Sequence, residues 1–294
     1  MKKRHLTLYL RIIFTLCVIA IIAIFSSLFF RHNPSQKVLS VSPTATSAPT
    51  PTPTPFIFIS YTPPVIARKP YYKIAMIGDS MTAALGPHGG GLSEYLNTLY
   101  AKNAQGGQRI LIDNYAKSSN ILAVSNELTK KTTVSEYTFG PLLSGNYDLV
   151  LVESYGYNPL SQFGIEEGIK QQNLALNQLM ATFITKTPST AIVFVATISP
   201  NKENYAKATQ PNSTVADRTT LADERIAYIK NHIAYAISHN IPLINIYQDS
   251  LLPNGDGNML YISPTDDIHP SFAGINFIDH EIGNFIFTNK ILPL

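Results

Sequence analysis

A hydroxyl, an imidazole and a carboxylate can together pass an acyl group through a covalent intermediate. This chain presents that set in two short stretches whose key residues lie 189 positions apart. Gly78-Asp79-Ser80-Met81-Thr82 follows an apolar run, and Asp266-Asp267-Ile268-His269-Pro270 lies near the C-terminus. A free serine is a poor nucleophile, so Ser80 needs a base, for which His269 is the candidate. A carboxylate three residues before the histidine, Asp266, can reach back on a single turn and hold the ring in one tautomer. Asp267 is an alternative for that role. The bland readings are that Ser80 caps a helix, the aspartates are turn residues and His269 lies on the surface. The two stretches together favour acyl transfer from serine.

The residues between these stretches must form elements that bring them together. Lys73–Ile77, Arg109–Asn114, Asp148–Glu153, Ala191–Thr197 and Pro242–Tyr247 are short apolar runs rich in Ile and Val, and read as buried parallel strands. Helical character falls between them, over Leu92–Lys102, Asn120–Lys130, Ile165–Thr185 and Thr219–Ser238, and again at the end over Ser271–Phe287. Leu221, Ile226, Ile229, Ile233 and Ile237 mark one expected buried face, and Phe272, Ile275, Ile278, Ile282 and Phe285 another. The alternation predicts an α/β, three-layer, doubly wound fold with a five-stranded parallel sheet and helices on both faces. Ligands of such sheets bind beyond the carboxyl ends of the strands. Ser80, Ser119 and Asn158 follow the first three strands, and Asp266 and His269 follow the fifth, so all converge on one rim.

Ahead of this domain, Ile12 to Phe30 is an uncharged run of 19 residues preceded by Lys2, Lys3, Arg4 and Arg11. It reads as a membrane-spanning signal anchor within residues 1–33 that sends the remainder outward, with a cleaved signal peptide as the competing reading. Residues 34–64 are rich in Pro, Thr and Ser and read as a stalk, interrupted by Phe56-Ile57-Phe58-Ile59. Residues 65–294 form the expected globular domain. Six of the 22 basic residues precede residue 65 and the first acidic one is Asp79, so the domain carries 16 basic against 19 acidic residues and no nucleic-acid partner is implied. The one cysteine, Cys17, lies in the apolar run, so the domain has no disulfide to support it.

Gly78-Asp79-Ser80-Met81 resembles the first block of the SGNH, or GDSL-type, serine hydrolases, and Asp266-Asp267-Ile268-His269-Pro270 resembles their closing Asp-x-x-His block. Asn114-Tyr115-Ala116-Lys117-Ser118-Ser119 is similar to the second block and Gly156-Tyr157-Asn158 to the third, so the likeness covers about residues 71 to 288. It implies a flavodoxin-like sheet, a triad of Ser80, His269 and Asp266, and an oxyanion hole made by the backbone N–H of Ser80, the backbone N–H of Ser119 and the side-chain amide of Asn158. Two positions depart from the family pattern. Ser119 stands where glycine is usual, and its Cβ penalises left-handed backbone angles; Pro159 stands where aspartate usually follows the asparagine. With all three triad residues present, the chain reads as a divergent member.

His88, in Gly86-Pro87-His88-Gly89-Gly90-Gly91, is a candidate for lining the pocket, and Glu153 and Tyr155 are candidates for touching substrate. Asn254-Gly255-Asp256-Gly257-Asn258 resembles part of a calcium loop but lacks the other ligands, so a turn is expected and neither a metal nor a cofactor is. His232, His239 and His280 read as surface residues on helices. Asn201–Asp217 is polar and aperiodic and could be a lid or specificity loop. The expectation is therefore a membrane-anchored extracytoplasmic serine esterase acting on ester substrates, first of all O-acetyl groups of envelope or extracellular carbohydrate. Carbohydrate O-acetyltransferase, lipid or thioester hydrolase, and a non-catalytic glycan-binding module are the alternatives.

Overall fold

The computed structural model describes residues 60–103 and 107–294. The expected anchor and most of the expected stalk lie outside the described residues. Among the described residues no helix is long and apolar enough to cross a membrane.

Along the chain run β1 (Tyr71–Ile77), the one-turn helix α1 (Ser80–Ala83), α2 (Gly90–Asn103), β2 (Arg109–Asn114), α3 (Val124–Thr129), a hairpin of β3 (Thr132–Val134) and β4 (Tyr137–Phe139), and β5 (Leu149–Glu153). There follow α4 (Gly164–Lys186), β6 (Ala191–Ala196), α5 (Val215–Ser238), β7 (Leu243–Asn245), α6 (Ile246–Asp249) and α7 (Phe272–Thr288). Five strands form one parallel sheet in the order β2-β1-β5-β6-β7. The order reverses at β1, whose neighbours are β2 and β5, and this switch point is where such sheets place their ligands.

Side chains alternate across the sheet and feed two cores. Ile74, Met76, Leu149 and Leu151 pack with Leu92, Leu96, Ile278 and Ile282 of α2 and α7. Ala75, Ile77, Val150 and Val152 pack with Val124 and Leu128 of α3 and Leu176, Met180 and Phe183 of α4. β5 and β6 are buried along their whole length, as their unbroken apolar runs require.

Several boundaries and burials differ from the sequence reading. Helix α5 begins four residues early because Thr214 and Asp217 form a reciprocal capping box. The stretch from Asn120 to Lys130 splits into a 3₁₀ turn capped by Asn120 and the short α3. The β3–β4 hairpin was not expected: its two-residue connection, Ser135-Glu136, lacks the Asn-Gly signal, and Ser135 adopts a left-handed φ of 53°. Ile237 and Phe272, expected in the core, are 67% and 80% exposed. His232, expected on the surface, is fully buried and stacks on Phe194 with ring centroids 4.3 Å apart. Burial pushes its pKa down to about 3, so the ring is neutral.

The packed part of the chain also reaches back into the stretch read as stalk. Tyr61 is buried, its N–H donates to the His239 carbonyl at 2.7 Å, and its hydroxyl accepts the Ile192 N–H at 2.8 Å at the start of β6, where β7 has not yet begun. This strap crosses the N-terminal ends of the strands, the rim opposite Ser80. A cleft of about 360 Å³ lies there, lined in part by Val65, Lys69, Asp148 and Lys186, and no triad residue reaches it.

Candidate active site

Ser80 opens α1 directly after β1. Asp79 caps that helix, its Oδ1 accepting the Met81 N–H at 2.9 Å. Gly78 is required by a close approach: a Cβ there would lie 2.7 Å from the Cβ of Glu153. Being the first residue of a helix, Ser80 has no intrahelical acceptor for its own N–H.

His269 and Asp266 sit on a loop closed at its neck. Ile262 bridges Pro270, the Ser263 N–H donates to the His269 carbonyl at 2.8 Å, and the Asp267 N–H donates to the Ser263 carbonyl at 2.9 Å. Within it, Oδ1 of Asp266 accepts the Ile268 and His269 N–H groups, both at 2.9 Å, and Oδ2 lies 2.8 Å from Nδ1 of His269. Nε2 of the same ring is 3.0 Å from Oγ of Ser80. A carboxylate can only accept from Nδ1, which puts the hydrogen there and leaves Nε2 to accept from the serine. Partial burial pushes the Asp266 carboxyl up, but the side-chain and backbone bonds of His269 and the Ile268 N–H outweigh it and hold the pKa below the usual range. The His269 side chain is 40% exposed, so the ring is open to solvent.

Asp267 takes no part in orienting the ring. It adopts a left-handed φ of 57°, its carboxylate accepts the Ala208 N–H at 2.9 Å, and its carbonyl accepts the Ala206 N–H at 3.1 Å. These bonds tie the polar segment Asn201–Asp217 to the triad loop. Arg218 holds the same segment through the carbonyls of Glu203 and Ser213, and Asp256 through the Lys202 N–H and the Asn201 amide. The carboxylate of the calcium-like loop is thus spent on protein donors. Among the described residues no group of three or more metal-ligating side chains occurs.

The three expected oxyanion donors fare differently. Asn158 lies beside the Asp79 carboxylate and bonds to it through its side chain. A primary amide has two N–H groups, so that bond uses one of them. The N–H of Ser119, however, donates to the Lys117 carbonyl at 2.7 Å in a tight turn, so that donor is already used. Nor is Ser119 among the residues with left-handed φ, so its Cβ carries no backbone penalty there. Gly156, two residues before Asn158, is fixed by close approach, since a Cβ would meet Ile229 at 2.3 Å.

The expected substrate contacts are corrected by burial. Glu153 and Tyr155 are 2% and 3% exposed and face the interior. His88 is turned to the β3–β4 hairpin: its Nδ1 is 3.2 Å from the Ile112 carbonyl, and its ring meets Tyr137 and Phe139 edge-on. The sequence reading assigned no role to Asp79, although an aspartate just ahead of a helix is a cap signal in its own right.

No family model matches the chain, and no curated protein matches it in sequence. Among solved structures it is similar to a GDSL-like lipase from Parabacteroides merdae, with a TM-score of 0.52 and 16% identity, covering 78% of this chain and 100% of that one. It also resembles a lipase/acylhydrolase from Enterococcus faecalis (TM-score 0.49, 16% identity, 74% of this chain and 96% of that one). A third similar structure is a catalytic mutant of an acetylxylan esterase from Geobacillus stearothermophilus (0.47, 13%, 73% and 94%). With five parallel strands in the order β2-β1-β5-β6-β7 and the Ser80 loop at their switch point, the chain has the α/β fold of the SGNH hydrolases.

Proposed function

We propose that the protein is a serine esterase. The observation that carries this reading is the unbroken line from Asp266 through His269 to Ser80, with contacts of 2.8 and 3.0 Å. As Ser80 Oγ attacks the acyl carbon, its proton passes to Nε2 of His269, and the Asp266 carboxylate stabilises the imidazolium. The negative oxygen of the tetrahedral intermediate is met by the Ser80 N–H and the free N–H of the Asn158 amide. Collapse breaks the ester bond, with His269 returning the proton to the leaving alcohol. Water then repeats the sequence and frees the serine.

For the substrate, the reading is O-acetyl groups on envelope or extracellular carbohydrate, and for the location a single-pass anchor with the domain outside the membrane. Both rest on the uncharged run from Ile12 to Phe30, on the basic residues before it and on the Pro/Thr-rich stretch that follows. A stalked hydrolase held at a membrane meets polymeric esters before soluble ones.

The test is labelling of the purified protein by a fluorophosphonate, with hydrolysis of a chromogenic acetate and of acetylated polysaccharide measured in parallel. Labelling at Ser80 that disappears in Ser80→Ala, with acetate release from polysaccharide, supports the reading. Glycan binding with no acyl-enzyme overturns it. For location, carbonate-resistant membrane association together with protease access to the domain in intact cells is the expected outcome, and free solubility of the full chain contradicts it.

A further inference from the structure

Beneath Ser80 lies a pair of acids, Glu153 and Asp79, that the proposed triad does not use. Glu153 ends β5, and its side chain is buried against the Gly78-Asp79-Ser80 turn. One of its oxygens, Oε2, accepts two backbone hydrogens: the Asp79 N–H at 3.2 Å, from the loop that carries the nucleophile, and the Tyr155 N–H at 3.0 Å, from the loop that carries Asn158. Its other oxygen accepts the Ser154 hydroxyl hydrogen. Asp79 repeats the pattern from the opposite side. Its Oδ1 accepts the Met81 N–H in the nucleophile loop, its Oδ2 accepts the Tyr157 N–H at 2.9 Å in the asparagine loop, and the Asn158 amide rests on it.

Two features show that this link is built under constraint. Tyr155 holds a left-handed φ of 54°, a conformation unfavourable for a bulky residue, and its N–H is one that Glu153 holds. Gly78 is glycine because the Glu153 side chain occupies the space its Cβ would need.

Building on the esterase reading, we infer that Glu153 is a positioning residue, whose carboxyl joins the nucleophile loop to the asparagine loop and so sets the distance from Ser80 to the Asn158 oxyanion donor. Substrate does not touch it. Burial pushes the Asp79 carboxyl up; it pushes Glu153 up further, because the Asp79 charge lies beside it. Burial and mutual repulsion thus favour protonation of the pair as a whole. A neutral acid still accepts two N–H groups on its carbonyl oxygen, and glutamine can do the same.

The variants Glu153→Gln, Glu153→Asp and Glu153→Leu separate reach from charge. Glu153→Gln is expected to keep kcat within about threefold of the parent. Glu153→Asp, one methylene short of both N–H groups, and Glu153→Leu are expected to lower kcat by ~30- to 100-fold, the cost of misplacing a reacting group by about 1 Å, with KM within about twofold. Should Glu153→Leu fail to fold, hydrogen exchange on the other two decides: the Asp79 and Tyr155 amides stay protected in Glu153→Gln and exchange faster in Glu153→Asp. The inference is overturned if Glu153→Asp keeps full kcat, if Glu153→Gln loses as much as Glu153→Asp, or if the loss appears in KM. Absence of fluorophosphonate labelling in the parent protein would instead defeat the esterase reading, while the exchange measurement would still report on the link between the loops.

Discussion

Asp266 and Glu153 flank the same serine and meet opposite conditions. Asp266 lies on a partly exposed loop, accepts three hydrogens, two of them from backbone N–H groups, and keeps its charge easily, its pKa held low. Glu153 lies inside the sheet beside another acid, with its pKa pushed well up by burial and by Asp79. In the proposed reading the first acts on a proton through the imidazole and the second on backbone geometry. What separates the two carboxyls is burial and the neighbouring Asp79 charge, since each accepts two backbone N–H groups.

The largest effects are expected on the proton side. Ser80→Ala or His269→Ala is expected to lower kcat by ~10⁴- to 10⁶-fold against a chromogenic ester, because nucleophile and base act as a unit. Asp266→Asn, which keeps the shape but loses control of the tautomer, should cost ~10²- to 10⁴-fold, whereas Asp267→Asn should change kcat by less than about fivefold. Equal losses in the two aspartate variants would contradict the orienting role given to Asp266. Asn158→Ala should lower kcat by ~10²- to 10³-fold, as expected for one oxyanion donor.

Smaller effects concern stability. Asp279 of α7 is a third acid, buried against Gly91 and Leu92 at the start of α2, and neither of its oxygens finds a hydrogen-bond partner of good geometry. Burial raises its pKa to about 7, which the nearby Leu92 N–H offsets only in part. Folding therefore favours its protonated form. This contribution is fullest below the ordinary carboxylate range near ~4 and is lost as pH rises toward about 7. Asp266 has the opposite sign: its contribution is present above the ordinary range and fades as pH falls through its lowered pKa. Thermal midpoints of Asp279→Asn should match the parent near pH 4 and exceed it by ~2–4 °C at pH 8. A deficit of the variant at pH 8 would show that the charged carboxylate is stabilising.

The arrangement of Ser80, His269 and Asp266 was legible because each of its two stretches is locally patterned. Asp-x-x-His puts carboxylate and imidazole on one turn, and Gly-Asp-Ser marks a strand running into a helix. The sheet was legible for a similar reason, since five apolar runs rich in Ile and Val have few other uses. What escaped depends on neighbours distant in sequence. Glu153 and Tyr155 end a strand on the binding rim, where a polar residue commonly meets substrate, yet the Asp79 and Tyr155 N–H groups draw the carboxyl inward. His232 lies on a helix whose face is shared by both cores, and Phe194 from β6 covers it. No pattern of residue types signals that the Ser119 N–H turns back onto Lys117.

The amino-acid order by itself determined the class of fold, the rim on which polar residues gather and the candidate serine and histidine that meet there, since each follows from periodicity or short spacing. The tertiary structure alone decided which aspartate faces the imidazole, which oxyanion donor is already occupied and which acids are buried under the serine. Those outcomes depend on hydrogen-bond partners and solvent exclusion, and both are supplied by segments that meet only after the sheet has assembled.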